Sequence, residues 1–373
     1  MKNGWKTKKL VDVATLQRGF DLPRQDRSSG DVPLVTSSGI SDTVSKSAVD
    51  GPGVATGRSG SIGNVFFIEE DFWPLNTVLY VKDFHGNDPR FVFHLLKNFD
   101  LKRFATGTGV PTLNRNCVHD ELVNVPPLAE QQRIVGLLDE AFEGLVTAKA
   151  NAEKNLQNAR ALFESHLQSV FAQCGPGWVE STIGAEIKFI DYRGKTPLKT
   201  TSGVRLITAK NVKMGFLQEM PMEFIAAASY TGWMTRGIPQ KGDVLFTTEA
   251  PLANVAQLDT DEKVAFAQRI IIMQPNALRL DSTFLKYLLL SQPVQQRIRT
   301  KGTGATVQGI KASLLKLIEI SFPKSLTAQE QIVRKLDDLR EETQRLARLY
   351  ERKIAALEAL KKSLLHQAFS GEM

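Results

Sequence analysis

The chain has 373 residues, of which 42% are hydrophobic and 23% charged, as in an ordinary globular protein with a buried core. Its two cysteines, Cys117 and Cys174, exclude a disulfide framework and form no C-x-x-C pair of a structural zinc site. The formal net charge of +7 suits a polyanionic partner such as nucleic acid, and because no long apolar segment occurs we expect a cytoplasmic protein without a membrane span.

Residues 1–127 are predicted to form a small α+β domain. The segment opens with Gly-Trp at 4–5 and continues through the strand-like runs "VPLVTSSG", "GVATGRSGSIGNVFFI" and "TVLYV", which turn residues separate. An apolar helical segment follows at 90–104, and Gly-Thr-Gly occupies 107–109.

Residues 128–172 are predicted to form one long helix. No proline interrupts this segment, and apolar or small residues recur at steps of three and four, which is the spacing of a coiled-coil seam. The predicted seam consists of Ile134, Leu138, Ala141, Leu145, Ala148, Ala152, Leu156, Ala159, Leu162, His166 and Val170.

Residues 173–325 repeat the layout of the first domain. Gly-Trp at 177–178, the strand-like runs "VRLITAKNV", "GDVLFTT" and "RIIIM", a helical segment at 284–298 and Gly-Thr-Gly at 302–304 occur in the same order. We therefore predict a second small α+β domain.

The two domains differ between these shared landmarks. Residues 20–90 and 195–280 show no sequence alignment with each other. Residues 177–325 hold 19 Lys and Arg against 12 Asp and Glu, whereas residues 1–127 hold 15 against 14. The basic excess is therefore local to the second domain, and the two domains are suited to recognising different things.

Residues 326–373 are predicted to form a second long helix that duplicates the first. Residues 128–171 align without a gap on residues 326–369, at an offset of 198, and 13 of the 44 positions are identical. The duplication is clearest in "PLAEQQRIV" (127–135) and "SLTAQEQIV" (325–333). The second predicted seam consists of Ile332, Leu336, Leu339, Thr343, Leu346, Tyr350, Ile354, Leu357, Leu360, Leu364 and Ala368.

The two seams complement each other in side-chain size. Ala148 and Ala159 occupy the same offsets as Leu346 and Leu357, so the two helices should pack on each other and bury these leucines. Chain order makes an antiparallel pair the simplest arrangement, with one domain at each end of a rod of roughly 66 Å. The predicted fold class is α+β, with two small α/β domains joined by two long antiparallel coiled-coil helices in a pseudo-two-fold internal repeat.

Motifs that would indicate catalysis are incomplete. "YRGKTP" (192–197) contains Gly-Lys-Thr, but Phe189 stands where a Walker A loop needs glycine. The glycines of "GRSGSIG" (57–63) are weak support for a phosphate-binding loop, and the five histidines show no metal-site or catalytic-triad spacing. We therefore predict no catalytic residue, no metal site and no cofactor bound by this chain.

The residues best suited to nucleic acid lie on loops. Both Gly-Thr-Gly loops follow basic residues, and such a loop allows close backbone approach and donation to phosphate oxygens. The alternative is a helix C-terminus capped by glycine and cations. Arg, Lys and Asn on other loops are of the types that read base edges, or are solvated surface residues. The predicted DNA-binding residues are Arg58, Ser59, Ser61, Asn64, Lys102, Arg103, Thr106, Thr108, Arg193, Lys195, Lys210, Asn211, Lys213, Arg297, Arg299, Lys301 and Thr303.

The repeated segment "PPLAEQQRIVGLLDEAF" and "LTAQEQIVRKLDDL", the upstream Gly-Thr-Gly and the opening "DYRGKTP" of the second domain resemble the specificity subunit of bacterial type I restriction–modification systems. The first domain carries "QRGFDLP" in the corresponding place. The resemblance implies target-recognition domains at 1–127 and 173–325, each reading one half of a split, asymmetric DNA target. It also implies spacer helices at 128–172 and 326–373 that set the distance between the halves.

The resemblance further implies partners and cofactors. In that family the subunit is not catalytic, binds double-stranded DNA and docks two modification subunits, which methylate adenine with S-adenosylmethionine. Restriction subunits add ATP-driven translocation and cleavage. We therefore expect S-adenosylmethionine, ATP and Mg on partner subunits and none on this chain, in the cytoplasm of a bacterial or archaeal cell.

Two other functions stay open on the sequence. The chain could be the recognition part of a fused restriction–methyltransferase enzyme, although it shows neither nuclease nor methyltransferase motifs. It could also be a coiled-coil adaptor with no DNA role, although the local basic excess and the two-domain layout count against this.

Overall fold

The computed structural model describes residues 4–107, 111–192, 194, 196–304 and 308–372. The chain forms two compact units. Unit 1 contains Met1–Lys154 and Tyr350–Met373, and unit 2 contains Asn155–Leu349. Each unit thus combines one small domain with a part of both long helices.

Among its described residues, unit 1 has two larger sheets, two strand pairs, two short helices and parts of both long helices. Its strands are β1 (Lys6–Lys9), β2 (Thr15–Arg18), β3 (Val32–Thr36), β4 (Gly39–Val44), β5 (Gly53–Gly57), β6 (Val65–Ile68), β7 (Trp73–Pro74), β8 (Val78–Asp83), β9 (Ala105–Thr106), β10 (Thr112–Leu113) and β11 (Leu122–Val125). Its helices are α1 (Pro89–Asn98), α2 (Arg115–His119), the first part of α3 (Leu128–Ala172) and the last part of α9 (Leu326–Ser370). One sheet has the order β2-β8-β5-β6 and the other β4-β3-β7, while β1 pairs with β11 and β9 with β10.

The central strand β5 is buried along its whole length because it lies between two cores. Successive side chains of a strand point to opposite faces. Val54 accordingly joins the core that contains Phe91 of α1, whereas Ala55 joins the core that contains Val35 of β3.

Unit 2 is built in the same way. Its strands are β12 (Trp178–Thr182), β13 (Ile187–Asp191), β14 (Lys199–Thr200), β15 (Val204–Ile207), β16 (Glu223–Ile225), β17 (Val244–Thr247), β18 (Val255–Gln257), β19 (Val264–Phe266), β20 (Ile270–Pro275) and β21 (Glu319–Pro323). Its helices are the second part of α3, α4 (Ile183–Glu186), α5 (Tyr230–Trp233), α6 (Ser282–Leu290), α7 (Gln292–Lys301), α8 (Ala312–Lys316) and the first part of α9 (Leu326–Ser370). The sheet orders are β13-β20-β17-β18 and β14-β16-β15-β19, and β12 pairs with β21.

The two units share one topology where their sequences do not align. The order β2-β8-β5-β6 corresponds to β13-β20-β17-β18. Strand β3 pairs antiparallel with β4 and parallel with β7, and β15 does the same with β16 and β19. In both units the strand after Gly-Trp pairs with the strand that precedes the long helix. The internal repeat therefore includes the small domains as well as the helices.

A buried glutamine joins each long helix to its own domain. The amide of Gln131 donates to Pro126 O (3.0 Å) and Asn87 Oδ1 (2.8 Å), and its oxygen accepts from the backbone N–H of Asp88 (2.9 Å). Asp88 in turn caps α1 by accepting from Phe91 N.

Gln329 repeats this arrangement in unit 2. Its amide donates to Pro323 O and to Arg279 O, both at 2.8 Å, and its oxygen accepts from the N–H of Asp281 (2.8 Å), the cap of α6. These two glutamines, which we call the paired glutamines, lie at the same position of the repeated segment at the start of α3 and α9.

Replacement of Gln131 by methionine is expected to destabilise unit 1 by about 1–3 kcal/mol for each buried polar group left without a partner. Methionine keeps the approximate length of the side chain but cannot donate to Pro126 O or accept from Asp88 N. Gln132→Met is the matched control, because Gln132 is exposed. Chemical denaturation measures both variants, and equal unfolding free energies would contradict the assigned role.

An aspartate two turns further along each helix makes a second contact between the helix and its domain. Asp139 accepts from the Nε2 of His94 (3.0 Å) on α1, and Asp337 accepts from the hydroxyl of Tyr287 on α6. Burial lowers the pKa of His94, with the hydrogen bond to Asp139 opposing it. Burial also raises the pKa of Tyr287, and the bond to Asp337 adds to this.

The predicted seams are largely confirmed, with three exceptions. Leu138, Ala152, Ala159, Leu336, Thr343 and Ala368 are buried, and most other seam positions are half-buried. Leu346 and Leu357, which were predicted to be buried, are half-buried instead. Leu162, His166 and Leu360 are exposed, and this part of the prediction is wrong. Phe163 and Leu167 take the inward positions in α3 and Leu365 in α9.

The two long helices pack antiparallel within unit 1. Lys149 of α3 pairs with Glu358 of α9 at 2.7 Å, and the ammonium of Lys361 lies over the ring of Phe142 at 5.0 Å. Residue numbers thus fall along α9 as they rise along α3. Phe369, near the end of α9, packs on Phe91 of α1 and joins the domain core.

Candidate nucleic-acid interface

Unit 1 has a basic cleft where three of its segments meet. The cleft encloses about 370 Å³. Its walls are the end of β2, the loop after β5, and the β9–β10 hairpin with the start of α2. The lining residues are Arg18, Arg58, Leu79, Thr106, Thr112, Leu113, Asn114, Arg115 and Asn116. Three of these are arginines, and none of the described lining residues is acidic.

Backbone hydrogen bonds hold Arg58 at the centre of this cleft. Its N–H donates to Thr77 O (2.9 Å), and its own carbonyl accepts from Leu113 N (2.7 Å). Its guanidinium donates to Asn76 O at 3.4 Å. The next residue, Ser59, forms a β-bridge with Thr112. The β9–β10 pair is therefore fixed against the loop that carries Arg58.

A histidine joins α2 to β2, the two elements that carry the other two arginines of the cleft. The Nε2 of His119, the last residue of α2, accepts from the N–H of Leu16 on β2 at 2.9 Å. Burial lowers the pKa of His119 and the nearby Arg115 lowers it further, which favours the neutral, accepting imidazole. Arg115 on α2 and Arg18 on β2 consequently face the same cleft.

Unit 2 has a cleft at the equivalent place. It encloses about 390 Å³. Thr248 N donates to Arg269 O (2.9 Å) and Ile310 N donates to Thr248 O (2.9 Å), as Arg58 and Leu113 do in unit 1. Thr303 and Gly309 exchange two backbone bonds and close the second Gly-Thr-Gly hairpin. The lining residues are Gly194, Thr248, Glu249, Gln268, Arg269, Thr303, Gly309, Ile310 and Lys311.

Three of the predicted site residues of unit 1 lie in or beside its cleft. Arg58 and Thr106 line it, and Ser59 lies on its wall. Ser61 and Asn64 are exposed on the same loop. The stem of Lys102 lies near Gly63 of that loop, whereas Arg103 forms an ion pair with Glu121. Thr108 lies outside the described residues.

The predicted residues of unit 2 are more scattered. Thr303 lines the cleft. Arg299 is exposed on α7. Arg297 donates to the carbonyl of Glu319 in β21, and Lys301 donates to the carbonyl of Leu317 after α8. Arg193 and Lys195 lie outside the described residues.

Lys210, Asn211 and Lys213 lie on a loop, residues 208–222, that only unit 2 has. Lys210 is exposed and Lys213 half-buried. Asn211 is buried, and its side chain accepts from Thr208 and donates to three backbone carbonyls of the same loop. In this structure Asn211 shapes the loop from inside instead of facing solvent.

Five charged cleft residues were missed by the sequence reasoning, namely Arg18, Arg115, Glu249, Arg269 and Lys311. For Arg18 a signal existed, since "QRG" at 17–19 matches "YRG" at 192–194. The other four lie on segments with no recognisable sequence counterpart, and only the pairing of strands brings them together. Within the described part of the chain no cluster of His, Cys, Asp and Glu could hold a metal ion, and no helix is long and apolar enough to cross a membrane.

A family model described as type I restriction modification DNA specificity domain matches residues 2–157 and 207–354. The chain therefore belongs to this family. It supplies the DNA sequence specificity of a type I restriction–modification system and is not a catalytic subunit. The two matched segments agree with the duplication seen in the topology.

Individual proteins agree with this assignment. The Type I restriction enzyme MjaVIII specificity subunit of Methanocaldococcus jannaschii is 22% identical over 77% of this chain and 70% of its own length. A putative type I restriction enzyme specificity subunit of Haemophilus influenzae is 23% identical over 88% of this chain and 86% of its own length.

Solved structures show the same fold. A chain of a type I R-M system, studied for complex assembly and conformational transition, matches with a TM-score of 0.80 at 19% identity, covering 100% of this chain and 99% of its own. The HsdS subunit from Thermoanaerobacter tengcongensis matches with a TM-score of 0.65 at 19% identity, covering 100% and 98%.

Proposed function

We propose that each unit reads one half of a bipartite, asymmetric DNA target through its cleft. The observation that carries this is the pair of clefts, which have the same backbone frame and different side chains. Equivalent frames would approach DNA in equivalent ways, while different side chains would read different bases. This supports a split target with unequal halves.

The side chains of the clefts suit this role. Arg58, Arg115 and Arg18 offer donors to phosphate oxygens or to the O6 and N7 of guanine. Thr106 and Thr303 stand at the two hairpins, where a hydroxyl and the glycine-rich backbone can approach a phosphate. The exposed Lys102, Lys210 and Arg299 add positive charge on the surrounding surface.

The duplicated scaffold supports the proposed partners. The contacts between helix and domain are equivalent in the two units. The scaffold therefore presents similar surfaces twice, which suits two copies of one modification subunit. We further propose restriction subunits in the complete assembly, with S-adenosylmethionine, ATP and Mg on those partners, in the cytoplasm of a bacterial or archaeal cell.

The clefts are tested by Arg58→Ala and Arg115→Ala in the assembled complex. If the arginines contact phosphate, binding weakens for all sequences and the salt slope falls by about one unit per lost contact. If one reads a base, discrimination at a position of the first half-site falls by about 1–3 kcal/mol. Lys46→Ala is the control, because Lys46 is exposed and does not line the cleft. Unchanged affinity and unchanged sequence preference in both variants would refute the proposal.

A further inference from the structure

The two clefts differ by an exchange of side chains across the same backbone bond. In unit 1 the residue after β5 is Arg58 and it bonds to Thr77 O, whereas in unit 2 the residue after β17 is Thr248 and it bonds to Arg269 O. The arginine and the threonine have thus changed places. Beside them, Ser59 bridges to Thr112 in unit 1, and in unit 2 the corresponding bridge joins Glu249 to Gly309.

The exchange places a carboxylate next to a guanidinium in unit 2. The Nε of Arg269 lies 3.0 Å from the Oε1 of Glu249, and both side chains are about half exposed, at 44% and 47%. Among the described residues, none bonds the terminal nitrogens of Arg269. Both side chains line the cleft of unit 2.

The backbone around this ion pair is held in an unusual conformation. Arg269 has φ +78° and Ala250, which follows Glu249, has φ +45°. Residues other than glycine rarely adopt such angles, and they persist where the surrounding structure imposes them, commonly at functional sites. The bond from Thr248 N to Arg269 O is one such constraint.

We propose that Glu249 and Arg269 together read a cytosine–guanine base pair in the half-site of unit 2. This rests on the proposed function. In the major groove cytosine presents the N4 amino donor, and guanine the O6 and N7 acceptors. A carboxylate accepts from the amino group and a guanidinium donates to O6 and N7. The carboxylate of Glu249 and the guanidinium of Arg269 already lie side by side. They therefore match a base pair in which the amino donor of cytosine lies beside the O6 and N7 acceptors of guanine.

Among its described lining residues, the cleft of unit 1 has only basic charged side chains. Its charged lining residues, Arg18, Arg58 and Arg115, donate only. It therefore lacks, among its described lining residues, a carboxylate that could accept from cytosine. The carboxylate of Glu249 therefore distinguishes the charged lining of the unit 2 cleft from that of unit 1.

A purely structural ion pair would behave differently on substitution. Half-exposed pairs contribute little to stability, so Glu249→Gln should leave the fold intact. The amide keeps the size of the side chain but not its charge, and it can donate as well as accept. A change in sequence preference without a change in stability is therefore the signature of base reading.

The test is selection from a pool of randomised duplexes by the assembled complex, followed by sequencing. The unaltered complex should select a cytosine–guanine pair at one position of the unit 2 half-site. Glu249→Gln should reduce that preference by roughly 5-fold to 150-fold, as loss of one good base contact does, and should leave the unit 1 half-site unchanged. Glu262→Gln, an exposed acid of the same unit, is the control and should select the original sequence.

Other outcomes overturn the inference in distinguishable ways. A unit 2 half-site without a cytosine–guanine pair, or one that Glu249→Gln leaves unchanged, refutes the base-reading role while the clefts stay DNA-binding. Weakening that is equal for all sequences assigns the pair to backbone positioning instead. Failure of the proposed function itself shows separately, since Arg58→Ala and Arg115→Ala would then also have no effect.

Discussion

Replacement of Leu138 or Leu336 by alanine is expected to lower the free energy of unfolding by about 2–5 kcal/mol. Both leucines are fully buried, at 0% exposure. Leu138 lies in a core with Leu365 and Phe369 of α9, and Leu336 lies in a core with Leu167 of α3. Each substitution therefore leaves a cavity where a long helix meets its partner and its domain.

Two leucines of the same helices serve as matched controls. Leu162 and Leu360 stand at predicted seam positions but are 51% and 47% exposed. Their replacement by alanine should change stability by less than about 0.5 kcal/mol. Urea denaturation, with helix content as the signal, measures the free energy of unfolding of all four variants. If the exposed pair cost as much as the buried pair, the assigned packing of the long helices would be wrong.

Lengthening both helices is expected to lengthen the non-specific spacer of the target by one or two base pairs. Four residues inserted after Asn151 and four after Tyr350 add about one turn and roughly 6 Å to each helix, close to two base pairs at 3.4 Å each. Both positions lie near the division between the units, and a four-residue insertion is a stutter that a coiled coil absorbs. The half-site bases should stay unchanged.

Sequencing of methylated adenines, after co-expression with the modification partner, reports half-sites and spacer together. Insertion of four residues after Cys174, an exposed residue in the loop that leaves α3, is the control and should not alter the spacer. If the double insertion left the spacer fixed, or changed the half-site bases, the helices would not set the distance between the readers.

The long helices could be predicted from the sequence because their signal is repeated many times. A seam with steps of three and four extends over some 44 residues, and it recurs at an offset of 198. The prediction was wrong for Leu162 and His166, where Phe163 turns inward to pack on Tyr287 of α6. A contact with the domain there overrides the regular seam, and periodicity within one helix cannot reveal it.

The clefts were harder to predict because their shared part is backbone. Arg58 and Thr248 occupy the same place in the frame, as do Thr77 and Arg269, yet neither pair is alike in sequence. The sequence shows only residue types. The two clefts are equivalent in their backbone hydrogen bonds, that is, in which carbonyl accepts from each N–H. Asn211 is a residue whose type suggested a role that its position does not allow. An asparagine suits base reading, but every polar atom of this side chain is hydrogen-bonded inside its own loop.

The paired glutamines bear on how such a protein can change over time. Gln131 and Gln329 hold their domains mainly through main-chain groups, such as Pro126 O and Pro323 O. A main-chain group is present whatever side chain the residue carries. Mutations in the cleft loops therefore leave the attachment of domain to helix as it was, and a lineage can acquire a new target sequence without rebuilding the frame that carries it.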